Sequence, residues 1–339
     1  MNHRNQLAAP CPAQSVFTLT AKTMIWRIGS YAAICIALWV WLAHAGAATL
    51  RETEQTYFTP EDAAAALATA ARSHDQAALR AILGAGREKL LSSGDHYADQ
   101  EQQRRFAAAY DERHVLVPQG PQRMELEVGN DNWPLPILIV QKGRWDRWRF
   151  DAKSGADELV NRRIRRDESA AIRVALSYVD AQKDYFERIK QQTGEGVYAE
   201  RLISRPGRQD GLYWQAAADA VQSPFGLLVG HAESEGYPGS IVNGRLTPYQ
   251  GYYFRVLKAQ GPNAAGGAMS YKKSRRMTGG FALIAWPATY GSSGIMTFQV
   301  DQDGVVFQKD LGPNTARVAS STAQFNPDQT WARVDVTSR

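Results

Sequence analysis

An uncharged apolar stretch near the amino end decides which part of this chain is available to fold. It runs from Ile28 to Leu42, follows Arg27 and precedes small residues in the frames Ala43-His44-Ala45 and Ala45-Gly46-Ala47. Charged, apolar and small residues in that order are typical of a secretory signal. A permanent transmembrane helix needs about 20 apolar residues, so retention of this shorter stretch as an anchor is the less favoured alternative.

Residues 1–47 are therefore predicted to be a cleaved signal peptide that directs the chain to the periplasm, with no stable membrane span after cleavage. Met24 is an alternative start, because residues 1–23 are polar and long for the leading region of a signal. Both cysteines, Cys11 and Cys35, lie in the removed segment. The mature chain can then form no disulfide and no thiolate metal site, and packing alone must stabilise it.

The charge of the mature chain is close to balanced. The whole chain carries +5, and loss of the bases in residues 1–47, which contain no acid, leaves about +2. This balance is unlike the strongly basic surface of nucleic-acid-binding proteins, so no nucleic-acid partner is expected. Two basic clusters could contact anionic lipid or glycan, although a solvated face or turn is the favoured interpretation. They are Arg162-Arg163 with Arg165-Arg166, and Lys272-Lys273 with Arg275-Arg276.

The first half of the mature chain shows helix signals followed by strand signals. Thr59 and Pro60 predict a helix over 60–73, Asp75 begins a second helix that ends at Gly84, and a third is expected over 98–110. Alternating or β-branched segments then predict an antiparallel meander over 123–128, 137–141 and 145–150. Residues 48–165 are therefore predicted to form an α+β domain of helices packed on this sheet.

The second half begins with the longest uninterrupted helix pattern, which Asp167 is predicted to cap and Gly194 to end. Strand patterns return over 251–258, 280–286, 294–300 and 305–309, separated by Gly-rich turns. We expect a second α+β domain over 166–315, in which the long helix packs on a second antiparallel sheet. Residues 316–339 are expected to be a polar tail that is partly ordered at best.

Several short phrases of the sequence resemble the exported bacterial family known as domain of unknown function 2950. They are Leu212-Tyr213-Trp214, Gly251-Tyr252-Tyr253-Phe254-Arg255, Gly280-Phe281-Ala282, Ala285-Trp286-Pro287 and Gln308-Lys309-Asp310-Leu311-Gly312. The resemblance covers about residues 58–315, and it implies no activity because the family itself is uncharacterised.

Two looser resemblances concern the folds of the halves. The helices and meander of the first half resemble the cone-shaped fold of nuclear-transport-factor-like domains. The long helix, Tyr198-Ala199, the segment 251–254 and Tyr290-Gly291 resemble the globular head of type IV pilins and pseudopilins. A pilin begins with a very hydrophobic helix that follows its processing site. Here the helix from Asp167 is internal and amphipathic, so filament assembly is not implied.

No residue pattern in the mature chain predicts catalysis, a metal site or a cofactor. Tyr249, Tyr252, Tyr253 and Trp286 cluster around strand ends, where their rings could stack on sugar or peptide. Packing of the second core is the alternative interpretation of these four rings.

Asp157 and Glu158 stand beside the arginine cluster. They could form an ion-pair network at the domain junction or, as the less favoured alternative, act as acid and base.

The sequence therefore favours a non-catalytic binding or scaffolding protein of the cell envelope, with envelope proteins or polymers as its partners. Two alternatives remain open. One is a hydrolase that acts on envelope polymers through paired carboxylates, and the other is a pilus- or secretion-associated adaptor.

Amino-terminal sequencing of the protein purified from a producing bacterium tests the signal prediction. We expect the first residue to lie close to Ala48, because signal peptidase cuts after the small residues of the frames at 43–47. A protein that begins at Met1 or Met24 would contradict cleavage and would return the apolar stretch to the mature chain.

Overall fold

The computed structural model describes residues 54–84, 87–142, 147–216, 222–235, 237 and 247–335, all of which belong to one compact unit. The predicted signal peptide lies outside these described residues. Helices and antiparallel sheets together confirm the α+β class. Among the described helices, none combines the length and the apolar character that crossing a membrane would need.

Short helices begin the described chain at caps that the sequence supplies. The Thr59 side chain accepts a hydrogen bond from the backbone nitrogen of Asp62 at 3.0 Å, and Asp75 accepts one from Ala78 at 2.9 Å. Such caps satisfy N–H groups that have no partner inside a helix. The three predicted helices are confirmed, and α3 is an additional turn between them. The helices are α1 (Pro60–Arg72), α2 (Gln76–Leu83), α3 (Glu88–Leu91) and α4 (His96–Glu112).

The first antiparallel sheet lies within residues 114–150, and its strand order is β1-β2-β4-β5, with β3 beside β2. The predicted meander is confirmed, while β1 and β3 are additional strands. Helices α1 and α2 pack on the sheet through a core that includes Leu67, Ile82, Leu126 and Phe150. The strands are β1 (His114–Pro118), β2 (Arg123–Val128), β3 (Trp133–Pro134), β4 (Ile139–Lys142) and β5 (Arg147–Phe150).

Helix α5 runs without interruption from Ala152 to Thr193 and ends at Gly194, whose φ is 82°. The prediction that it begins at Asp167 is wrong, because Asp167 is a buried residue inside the helix. The helix begins at Ala152, and Gly155 in its first turn is the residue that obscured this start in the sequence. A glycine disfavours a helix in isolation, but here it allows α5 to approach the backbone of Pro136. The helix crosses the predicted boundary at 165, and the division into two domains stays a prediction.

The second sheet has the order β14-β13-β12-β11-β6 and packs against α5. The hydroxyl of Tyr178 in α5 donates to the carbonyl oxygen of Ala282 at 3.2 Å, within a core that includes Phe281 and Phe298. A short helix, α6 (Gly226–Ser234), precedes this sheet. The strands are β6 (Tyr252–Leu257), β11 (Ala282–Pro287), β12 (Met296–Asp301), β13 (Phe307–Asp310) and β14 (Ala332–Arg333). Two small ribbons pair β7 (Ala259–Gln260) with β8 (Met269–Ser270), and β9 (Lys272–Lys273) with β10 (Arg276–Met277).

The segment expected to be a polar tail joins the fold as far as residue 335. Helix α7 (Thr315–Ser321) packs on β11, and β14 pairs with β13. Phe325 is buried in the second core. One aromatic ring can anchor a polar segment, because burying it removes a large apolar area from water. The expectation of partial order at best is therefore wrong for residues 316–335.

Gly155→Ala tests the close approach between α5 and the segment before β4. In an exposed helix this change raises stability by about 1 kcal/mol. Here the added Cβ would collide with the carbonyl oxygen of Pro136 and lie 2.8 Å from the backbone nitrogen of Ile137. We therefore expect the free energy of unfolding to fall by roughly 1–3 kcal/mol in urea titrations. The exposed Asp157→Ala in the same helix is the control, and a stabilised Gly155→Ala would contradict the packing.

Candidate functional site

An apolar cavity of about 480 Å³, here called the first cavity, lies among helices α1–α4, the beginning of α5 and the first sheet. Its walls are mainly aliphatic and include Leu67, Leu79, Phe106, Ile137 and Leu159. The wall residues come from elements spread over a hundred positions of the chain. Packing of helices on the sheet therefore creates the cavity, and no short motif encodes it.

One end of the first cavity is polar. Asp99 and Gln102 of α4 line it together with arginines of α4 and α5. The two helices bring their polar positions together: Nη1 of Arg163 lies 3.8 Å from Oδ1 of Asp99. Oriented by its hydrogen bonds, the Gln102 amide places its oxygen on the guanidinium of Arg166. Among the described lining residues, the charged ones are Asp99, Arg105, Arg162, Arg163 and Arg166.

Arg163 is a structural residue of this polar end. Its side chain is 5 % exposed, and burial lowers the pKa of its guanidinium. It donates to the carbonyl oxygens of Ser292 at 3.1 Å and Leu90 at 3.3 Å, and also to that of Lys89. For this residue the interpretation of the arginine cluster as a solvated face is wrong, because backbone carbonyls replace water around the charge.

Arg162 and Arg166 lie closer to solvent, with side chains that are 37 % and 42 % exposed. Nε of Arg162 donates to Glu158 at 2.7 Å, and its guanidinium carbon lies 5.6 Å from the centre of the Trp133 ring. The ion pair predicted for Glu158 is thus present, while Asp157 is exposed. The two arginines give the polar end an accessible positive side.

Two buried carboxylates lie behind the arginines, on either side of Gly251. Oδ1 of Asp167 accepts from Nε and Nη2 of Arg166 at 3.1 and 2.8 Å, whereas Oδ2 has no hydrogen-bond partner among the described residues. Burial outweighs the nearby arginines and raises the pKa of Asp167 to about 7. Asp95 accepts from the Gly251 nitrogen and the Tyr237 hydroxyl, both at 2.8 Å, and burial raises its pKa as well.

Gly251 has no room for a side chain at this point. A Cβ there would lie 2.6 Å from Oδ2 of Asp167, and the backbone has a φ of +80°. Neither Asp95 nor Asp167 lines the first cavity. Both carboxylates are buried, with Asp95 0 % and Asp167 1 % exposed.

A second cavity of about 460 Å³ lies between α6 and strand β6. Of the four predicted ligand-binding aromatics, Tyr249 lines it. Tyr252 is fully buried and donates to the carbonyl oxygen of Met296 at 2.9 Å, whereas Tyr253 packs against the buried Trp286, with ring centres 5.6 Å apart. The structure does not bring the four rings to one surface, and their role in ligand binding stays a prediction.

The described residues contain no group of three or more His, Cys, Asp or Glu side chains that could hold a metal ion. The sequence pattern found Arg162, Arg163 and Arg166 of the polar end and Glu158 beside them, but not Arg105. It missed Asp95, Asp99, Gln102 and Asp167 as neighbours, because α4 and α5 meet only in the tertiary fold.

Comparison with known proteins gives one result. A family model described as "Protein of unknown function (DUF2950)" matches residues 54–334. No curated protein and no solved structure matches the chain. The resemblance of the second half to pilin heads is therefore not supported, and neither fold-level resemblance gains support from a solved structure.

Asp167→Asn tests the buried carboxylate. The pKa of Asp167 is about 7 in the folded chain and near its ordinary value of 3.8 in the unfolded chain. Between these two pKa values the folded chain binds one more proton than the unfolded chain. Its free energy of unfolding therefore falls as pH rises. The variant lacks this titration. We therefore expect the free energy of unfolding of the variant, minus that of the parent, to be roughly 2 kcal/mol larger at pH 8 than at pH 5.

Urea unfolding at the two pH values measures this difference. The exposed Asp157→Asn in the same helix is the control and should follow the parent. A stability difference between Asp167→Asn and the parent that is the same at both pH values would show that Asp167 does not titrate between pH 5 and pH 8.

Proposed function

The chain belongs to the DUF2950 family, and we propose that it is an exported, non-catalytic binding protein of the cell envelope whose first cavity holds a small apolar or amphipathic molecule. The observation that carries this proposal is the cavity itself. It has about 480 Å³ of space, aliphatic walls and one polar end.

The size and the lining of the first cavity suit a small ligand. Ligand pockets occupy about 300–1,000 Å³ and have mainly apolar walls with a few polar groups that orient the ligand. Water gains little there, because an aliphatic wall offers it no hydrogen bond. Each methylene group that enters contributes about 0.8 kcal/mol of favourable transfer free energy.

The predicted export is compatible with such a ligand. A protein that follows the signal of residues 28–42 would work beside lipid bilayers. Molecules with long apolar parts leave those bilayers only at a high free-energy cost in water. A cavity with an apolar interior and a charged end lowers that cost, which supports a carrier or sensor role in the envelope.

The alternative of a hydrolase with paired carboxylates has weaker support. Such an enzyme needs two acids that reach the same bond of the substrate. Asp95 and Asp167 are paired but enclosed, and Glu158 is engaged by Arg162. Asp99 lines the first cavity, but its two oxygens accept from the backbone nitrogen of Ser93 at 3.1 and 3.0 Å.

Filling the first cavity tests the proposal. The probe is N-phenyl-1-naphthylamine, a neutral apolar dye whose fluorescence rises out of water. Ala109 of α4 lines the cavity, so Ala109→Leu should lower the affinity at least about tenfold, which corresponds to about 1.4 kcal/mol. Thermal unfolding should show equal or higher stability, because the new side chain fills a void.

The neighbouring Ala108 is exposed on the same helix and supplies the matched control, Ala108→Leu. It should bind the dye as the parent does. Ala71→Leu, which enters the cavity from α1, provides a second blocking variant. A parent that does not bind the dye, or blocking variants that bind it equally well, would contradict the proposed function.

A further inference from the structure

We propose that the ligand of the first cavity carries an anionic oxygen head group, a carboxylate or a phosphate ester, and that Arg162 and Arg166 bind it. This inference rests on the proposed function and adds the chemical class of the ligand. The apolar part of the molecule lies against the aliphatic walls, and its head lies at the polar end.

The charges of the lining favour an anion. Among the described lining residues there are four arginines and one carboxylate. That carboxylate, Asp99, already accepts two hydrogen bonds from the nitrogen of Ser93 and lies 3.8 Å from Arg163. This acid is therefore already bound by the protein, and the lining carries more arginines than carboxylates.

Two of the four arginines are committed to other partners. Arg163 is buried and donates to the backbone around Leu90 and Ser292. Arg105 pairs with Glu101 at 2.6 Å and with Glu235 at 3.1 Å. The remaining pair, Arg162 and Arg166, has one acidic partner each, Glu158 and Asp167, and is the pair that we assign to the head group.

Arg162 and Arg166 are suited to act together. They are four residues apart on α5, so their side chains leave the helix on the same face. Only Nε of Arg162 has a hydrogen-bond partner among the described residues, which leaves both of its terminal nitrogens able to donate. Nε and Nη2 of Arg166 donate to the carboxylate of Asp167, whereas its Nη1 contacts the neutral amide of Gln102 and has no carboxylate partner among the described residues.

The environment of these guanidinium groups strengthens an ionic hydrogen bond. Trp133 lies beside Arg162, and Leu159 lines the cavity one turn earlier on the same helix. Charge-assisted hydrogen bonds from a planar guanidinium to carboxylate or phosphate oxygens are short and often bidentate. An alcohol of the same chain length offers one neutral oxygen and cannot gain this energy.

A matched set of ten-carbon ligands tests the inference by displacement of N-phenyl-1-naphthylamine at pH 8. Decanoate and decyl phosphate carry the anionic head, and decan-1-ol carries a neutral one. We expect both anions to bind the parent about ten times more tightly than the alcohol. In Arg162→Gln this preference should fall to about threefold or less, while the affinity for the alcohol stays unchanged.

The test of Arg166 needs a second substitution, because Arg166→Gln alone would leave the buried Asp167 without its counter-ion. The double variant Arg166→Gln, Asp167→Asn is therefore compared with Asp167→Asn, and it should also lose the preference for anions. Arg165→Gln is the control: Arg165 is 66 % exposed on the same helix and does not line the cavity. It should keep the parent's preference.

The outcomes separate the two proposals. If the dye and the alcohol bind but neither anion binds more tightly, the head-group inference is overturned and the cavity remains a binding site. The same holds if the arginine variants, shown by thermal unfolding to be folded, keep the full preference. If neither the dye nor any ten-carbon ligand binds the parent, the proposed function itself fails.

Discussion

A buried guanidinium holds together parts of the chain that are far apart in sequence. Arg163 lies inside α5 and donates to carbonyl oxygens of α3 on one side and of Ser292 on the other. The hydroxyl of Ser292 donates in turn to the carbonyl oxygen of Ser92 at 2.7 Å. A buried charge is tolerated only where such donors and acceptors are fully paired. Arg163 therefore fixes the beginning of α5, and with it the polar end of the first cavity.

Local signals were enough to predict much of the fold. Caps such as Thr59 and Asp75 determine where a helix can start, and the alternation in 123–128 determines a strand, because both depend on neighbours a few residues away. The start of α5 could not be predicted in this way. It depends on whether Gly155 meets another backbone, and Pro136 lies in a different element.

The candidate site was only half visible in the sequence for the same reason. The run of arginines at 162–166 is evident, and helical periodicity puts Arg162, Arg163 and Arg166 at neighbouring positions on one side of the helix. Periodicity does not say which face is buried. That is decided by Leu90 and Ser292, which surround Arg163 from elsewhere in the chain. The empty volume of the cavity is a property of packing among many elements, and no residue pattern reports it.

The two sheets also differ in how much of the chain each needs. The first sheet is complete within residues 114–150, whereas the second contains β14 and relies on the buried Phe325. A polypeptide that emerges amino end first can close the first sheet early, but the second must wait until residue 333 is available. Helix α5 packs on β11 and β12, so the apolar side of its carboxyl half stays uncovered until residue 301 is available, and it is open to aggregation during that time.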